Sequence, residues 1–134
     1  MPTRIAPMLA VADADAAIAF YQDAFGAVVR WRLGDGHVVA GLEIDGAEFF
    51  LASESPDNGT RGPSRAGGTT VRIELFVDDP VAVQRRAVAA GAFEKDPVRE
   101  HEHDTVGPHR IRRMRQGAVI DPSGHMWLIG VILE

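Results

Sequence analysis

The chain has 134 residues, with 19 acidic against 14 basic side chains and a formal net charge of −5. That is room for one domain or two small intertwined modules, and an acidic balance does not suit nucleic acid, whose phosphates need a basic field. The absence of cysteine excludes disulfides, zinc–thiolate sites and thiol nucleophiles, and no apolar run nears the ~20 residues that span a bilayer.

The opening stretch MPTRIAPMLAV is too short and polar for a signal peptide, so a soluble, cytoplasmic protein is expected. Ile5, Pro7, Leu9 and Val11 alternate with smaller or polar neighbours, the pattern of a half-buried strand. Asp13 suits a helix N-cap. Ala17, Ile18, Tyr21, Ala24 and Phe25 then form one apolar stripe at helical spacing, and Gly26 ends the helix. Three strands are expected at 28–33, 37–44 and 47–53, with Gly34-Asp35-Gly36 and Asp45-Gly46 as hairpin turns. Residues 55–69 are rich in Gly, Ser and Pro and read as a linker. Beyond it, 71–77 alternates as a strand, Asp79 caps a second helix with Pro80 at its first position, and Gly91 closes it. Strands at 97–102, 114–120 and 125–132 complete the chain.

The second half repeats the first. Val11 and Asp13 match Val77 and Asp79, and Gly26-Ala27 matches Gly91-Ala92. Residues 45–51 resemble 123–129, and the larger offset there places an insertion within 100–113. The expected fold is therefore α+β: a βαβββ module at 1–54 and another at 70–134, joined by 55–69 into one compact domain. Each module has a mixed, mostly antiparallel sheet curved around a cavity, with a helix on its outer face.

Three stretches, FYQDAFG at 20–26, FVDDP at 76–80 and DPSGHMW at 121–127, carry a resemblance to the vicinal oxygen chelate superfamily. That superfamily includes glyoxalase I, bleomycin-resistance proteins and extradiol dioxygenases. The last stretch is most similar to the small bacterial glyoxalase/bleomycin-resistance-like proteins. The resemblance implies paired βαβββ modules and, in metal-dependent members, ligands on the concave sheet face. Carried over one at a time, the first-strand ligand falls on Ala6, and the second on Phe50 with Glu48 two residues away. The third falls on Arg72 and the fourth on Leu128. A methyl group, a phenyl ring and a butyl chain have no lone pair to give, and a guanidinium repels a divalent cation. A slip of two residues would bring in Glu48 and Glu74, but two carboxylates without a histidine suit a transition metal poorly. No metal or other cofactor is expected.

Strand alternation assigns the faces. Val71, Ile73, Leu75 and Val77 should meet the helix, while Arg72, Glu74 and Phe76 face the cavity. Trp127 and Ile129 should be core, with Met126, Leu128 and Gly130 facing inward. His125 falls on the helix side at a strand end, as a cap for its turn. The candidate ligand-contact residues are thus Met8, Glu48, Phe50, Arg72, Glu74 and Phe76 together with Met126, Leu128 and Trp31, with Ala6 and Val39 beside them. His101 and His103 share a strand face, and His109 follows, but they lie in the inserted segment and read as a solvated loop able to close over the cavity. Arg110, Arg112, Arg113 and Arg115 read as a solvated face.

The functional expectation is a metal-independent protein that binds a small amphipathic or aromatic molecule, uncharged to cationic. Open sheet edges invite pairing, so a homodimer is expected. The alternative is a metal-dependent lyase, isomerase or ring-cleaving dioxygenase with an atypical ligand set drawn from His101, His103, His109 and Glu48. No motif identifies a catalytic residue.

Overall fold

The structure is a computed structural model that describes residues 1–108 and 110–134. The first module runs β1 (Met8–Val11), α1 (Ala14–Phe25), β2 (Val28–Leu33), β3 (Val39–Ile44) and β4 (Ala47–Ser53). The second runs β5 (Arg72–Phe76), α3 (Pro80–Ala89), β6 (Phe93–Glu102), β7 (Arg113–Ile120) and β8 (Met126–Ile132), and between them lies the short helix α2 (Pro63–Ala66). The sheets have the orders β1-β4-β3-β2 and β5-β8-β7-β6, so the two modules repeat one topology. In each, the first and last strands pair in parallel and the rest antiparallel. The architecture is α+β with paired βαβββ modules, and the sheets stay separate rather than closing into one barrel.

Local chemistry explains the repeat. The Asp13 carboxylate accepts the Ala16 N–H at 3.0 Å, and Asp79 accepts the Ala82 N–H at 3.1 Å, satisfying donors that each helix start leaves orphaned. Gly26 ends α1 in the left-handed region at φ 68°, where a glycine costs least.

Some boundaries differ from the alternation pattern. The first strand begins at Met8 rather than Ile5. Ile5 is 93% exposed, and pairing starts only where Phe50 N–H donates to the Pro7 carbonyl at 2.8 Å. Strand β6 begins at Phe93, ahead of 97, and its register shifts twice between Glu94 and Arg99. Pro97 sits in that irregular stretch, as a residue without an N–H must within a ladder. Much of the inserted segment lengthens the β6–β7 hairpin, which His103 N–H extends by donating to Arg112 O at 2.8 Å. Residues 55–69 fold back on the body: Glu54 accepts Gly62 N–H at 2.9 Å and Arg65 Nε at 3.0 Å.

Both modules share one core between sheets and helices. Tyr21 and Phe25 of α1 stack around Trp127 of β8, with ring centroids at 5.5 and 4.8 Å, and Phe49 of β4 closes the cluster at 5.5 Å. Beside it Asp121, only 3% exposed, accepts from Tyr21 Oη at 2.6 Å and Trp127 Nε1 at 2.9 Å. It also accepts from the backbone of Ser123 at 2.9 Å and His125 at 3.0 Å. Among the described residues no helix is long and apolar enough to cross a membrane.

Burial, followed by the negative charge of Asp121, pushes the Tyr21 phenol well above its ordinary 10.0. A raised folded value means that the neutral phenol's stabilisation is complete below pH 10 and is lost as pH climbs toward that value. The chain has a single tyrosine, so a spectrophotometric titration reports on Tyr21 alone. The native protein is expected to show no tyrosinate absorbance at pH ~10, the range where free tyrosine ionises, and to release it in one step with alkaline unfolding. Titration at the free value would contradict the buried Tyr21–Asp121 bond.

Candidate functional site

The core takes Leu9, Leu42, Phe49 and Leu51, which turns Met8, Gly41 and Phe50 to the opposite face of the first sheet. Strand register puts Met8, Phe50, Gly41 and Trp31 in one row across four strands. The Trp31 indole lies directly on Gly41: a Cβ there would sit 2.1 Å from Trp31 Nε1. Its ring meets Phe50 at 5.1 Å and 66°, an edge-on aromatic contact. Val39 shares this face. Ala6 lies just ahead of β1, half-buried. Glu48 is on the same face but ion-pairs with Arg4, as Glu43 does with Arg30.

The second sheet gives a different surface. Arg72 pairs across the ladder with Met126, and Glu74 with Leu128. Arg72, Glu74 and Leu128 line an open groove of about 480 Å³ with Thr70, Val71, His103, Met114 and Gln116. A smaller hollow continues it past Gln116 and Leu128 to Asp96, Arg99, His101 and Ala118. Gln116 Nε2 donates to Glu74 Oε1 at 3.0 Å, and His101 Nε2 donates to Gln116 O at 3.2 Å. The His101 and His103 rings lie parallel, 6.4 Å apart. His109 lies outside the described residues.

Most side chains take the faces that alternation assigns. Ile73, Leu75 and Val77 pack on the core, while Arg72, Glu74 and Phe76 are exposed. Val71 departs from the pattern: it precedes β5, is 58% exposed and lines the groove. Trp127 is 1% exposed and Ile129 fully buried. His125 is buried too, and its ring reaches farther than its own turn, donating from Nε2 to Ala10 O of β1 at 2.8 Å. Phe76 lies apart from Arg72, in a hollow with Ile44, Ala47 and Leu75. The candidates therefore occupy both concave faces without converging in one enclosed pocket. Of the four clustered arginines, Arg113 is not merely solvated, because it bridges Glu100 and Glu134. Gln116, Arg99 and Thr70 were not among the sequence candidates. Alternation in β7 would have found Gln116, since its neighbours Gly117 and Val119 fit the helix side.

The chain matches the Glyoxalase/Bleomycin resistance protein/Dioxygenase superfamily over residues 4–129. It belongs to that superfamily. It is 37% identical over 132 residues to the uncharacterised protein Mb0911c of Mycobacterium bovis, covering 94% of this chain and 81% of that one. It is equally similar to Rv0887c of Mycobacterium tuberculosis, likewise uncharacterised, over 94% of this chain and 72% of the relative. Among solved structures, a glyoxalase-related enzyme from Fulvimarina pelagi superposes with a TM-score of 0.68 at 23% identity, covering 97% and 88% of the two chains. TioX from Micromonospora sp. ML1 gives 0.66 at 25%, covering 96% and 95%. The fosfomycin resistance protein FosX from Mesorhizobium loti gives 0.66 at 13%, covering 96% and 90%. The first and last of these similarities establish shared fold alone.

In this superfamily member the donor positions carried over by resemblance hold Ala6, Phe50, Arg72 and Leu128, which do not fit a divalent cation. Among the described residues no three histidine, aspartate or glutamate side chains come together as a metal site.

The contact of Trp31 with Gly41 is directly testable. Gly41→Ala places a methyl where the indole lies and is expected to move the Trp31 Nε1–H resonance while leaving that of buried Trp127 in place. The stability cost should be ~1–3 kcal/mol, as for an overpacked site. An unshifted Trp31 resonance would mean that the ring does not rest on Gly41.

Proposed function

We propose that this chain is a cytoplasmic small-molecule-binding protein of the glyoxalase/bleomycin-resistance type, which holds an amphipathic or aromatic ligand without a metal ion. The observation that carries this reading is the side-chain set at the superfamily's donor positions, where Phe50 and Leu128 offer apolar surface and Arg72 a fixed cation. Trp31 and Phe50, edge-on to one another, form a platform for a ring or an alkyl chain. Met8 supplies adaptable packing beside it, and Met126 does so beside Arg72 on the second sheet. Glu48, Glu74, Arg72, Phe76 and Leu128 complete the proposed contacts, a mostly apolar site with a few polar anchors.

A metal-dependent lyase, isomerase or dioxygenase would need other donors. The parallel His101 and His103 rings are its best support, but no carboxylate converges on them among the described residues. The deciding experiment strips the protein with chelator and titrates aromatic compounds by calorimetry, with and without Ni²⁺, Zn²⁺, Fe²⁺ and Mn²⁺. Equal affinity in all arms is expected. Binding or turnover that appears only when metal returns would sink the proposal.

We further propose a homodimer. Strands β2 and β6 are sheet edges that carry exposed Val28, Leu33 and Phe93, and unpaired apolar edges favour association. Sedimentation equilibrium at micromolar concentration should return twice the chain mass, and a strict monomer would rule the dimer out.

A further inference from the structure

We infer that the groove between β5, β8 and β7 is the anion end of the ligand site, where Arg72 grips a carboxylate of the bound molecule. This rests on the metal-free binding reading and names the ligand class that reading leaves open.

Net charge points the other way, toward cationic ligands, but a net charge does not describe a groove. Around the concave faces most acids are already engaged. Glu48 pairs with Arg4, Glu43 with Arg30, and Asp96 approaches Lys95 at 3.8 Å. Glu74 has one oxygen occupied by the Gln116 amide at 3.0 Å. Arg72 and Arg99 form no ion pair among the described residues. Apart from the second oxygen of Glu74, the unpaired charge of this groove is therefore cationic. A guanidinium presents its N–H groups as a rigid fork that matches a carboxylate in two parallel bonds.

The surroundings favour such a grip. The groove's floor is apolar, with Leu128 half-buried and Met114 only 4% exposed. Arg72 stands beside Met126 across the ladder. A carboxylate seated there is partly desolvated, so its attraction to the guanidinium exceeds that in open water. Arg72 also falls where the superfamily resemblance places a metal donor. A metal ion in such a site would draw ligand oxygen toward it. Here the cation is built into the side chain, and it asks the same thing of the ligand. Glu74, on the same strand face, opposes the anion with its free oxygen. The Gln116 bond tethers that carboxylate toward β7, and the two residues together make the site sensitive to ligand charge.

The test uses the chelator-treated full chain and three probes that share one ring: phenylacetate, phenylacetamide and phenethylamine. Binding is read by calorimetry. Phenylacetate should bind at least about tenfold tighter than either neutral or cationic probe, the ratio that ~1.4 kcal/mol represents. Arg72→Gln should abolish that preference and leave phenylacetamide unchanged. Glu74→Gln should strengthen phenylacetate and weaken phenethylamine. Arg112→Gln, outside the groove, serves as the control and should change nothing. Preferred binding of the amine, an acid affinity indifferent to Arg72→Gln, or no saturable binding of phenylacetate up to millimolar concentration would each overturn the inference. If phenylacetate binds only after metal is restored, the metal-free reading falls, and the Arg72→Gln result in that arm still decides the anion site. Arg72 is exposed, so the variant should fold, and an unchanged circular dichroism melt verifies this.

Discussion

The concave surfaces of this protein are placed by one buried carboxylate on their far side. Asp121 receives two side-chain donors, Tyr21 Oη and Trp127 Nε1, and two backbone donors from its own turn. An aspartate removed from water is costly unless its oxygens are satisfied, and here four donors satisfy them. The donors come from different places: Tyr21 belongs to α1 of the first module, and the rest to the turn and strand that end the second. The His125 ring adds a second tie, to Ala10 of β1. Two modules that could each drift as a half-sheet are thus locked at a fixed angle, and the relation of the aromatic face to the polar groove follows from that lock.

This arrangement explains why DPSGHMW is so informative a stretch. Its polar residues, Asp121 and His125, serve the scaffold. Trp127 fills the core, and only the alternate residues Met126 and Leu128 face away from it. Nothing in the stretch needs to be chemically reactive for it to be indispensable. Its pattern marks the fold far more strongly than it marks an activity.

The sequence was legible where a rule acts locally. Asp13 and Asp79 announce helix starts because a carboxylate caps an N-terminus wherever it stands. Period-two alternation sorted Arg72, Glu74 and Phe76 from Ile73 and Leu75 because a strand has only two faces. What stayed hidden depends on partners distant in the chain. Gly41 is an ordinary strand glycine until Trp31, ten positions away, lies across it. The bond from Gln116 to Glu74 spans two strands that are not adjacent, since β8 lies between them. Local patterning contains neither. Nor does net charge say where acids are paired: the fold sets Glu48 and Glu43 of the first sheet against Arg4 and Arg30.

The two sheets share a topology and differ in chemistry. In the first, Trp31, Phe50 and Met8 make an apolar face whose acids are neutralised in place. In the second, Arg72 and Arg99 form no ion pair among the described residues and flank Leu128. Duplicated modules start with equivalent positions, so this divergence lies in the side chains that the two concave faces present. One sheet offers area, which holds rings and chains with little discrimination, and the other offers oriented donors, which discriminate by charge. With Phe50 and Leu128 at two of the positions matched by resemblance and Arg72 at a third, one concave face is distinguished by its apolar shape and the other by its charge.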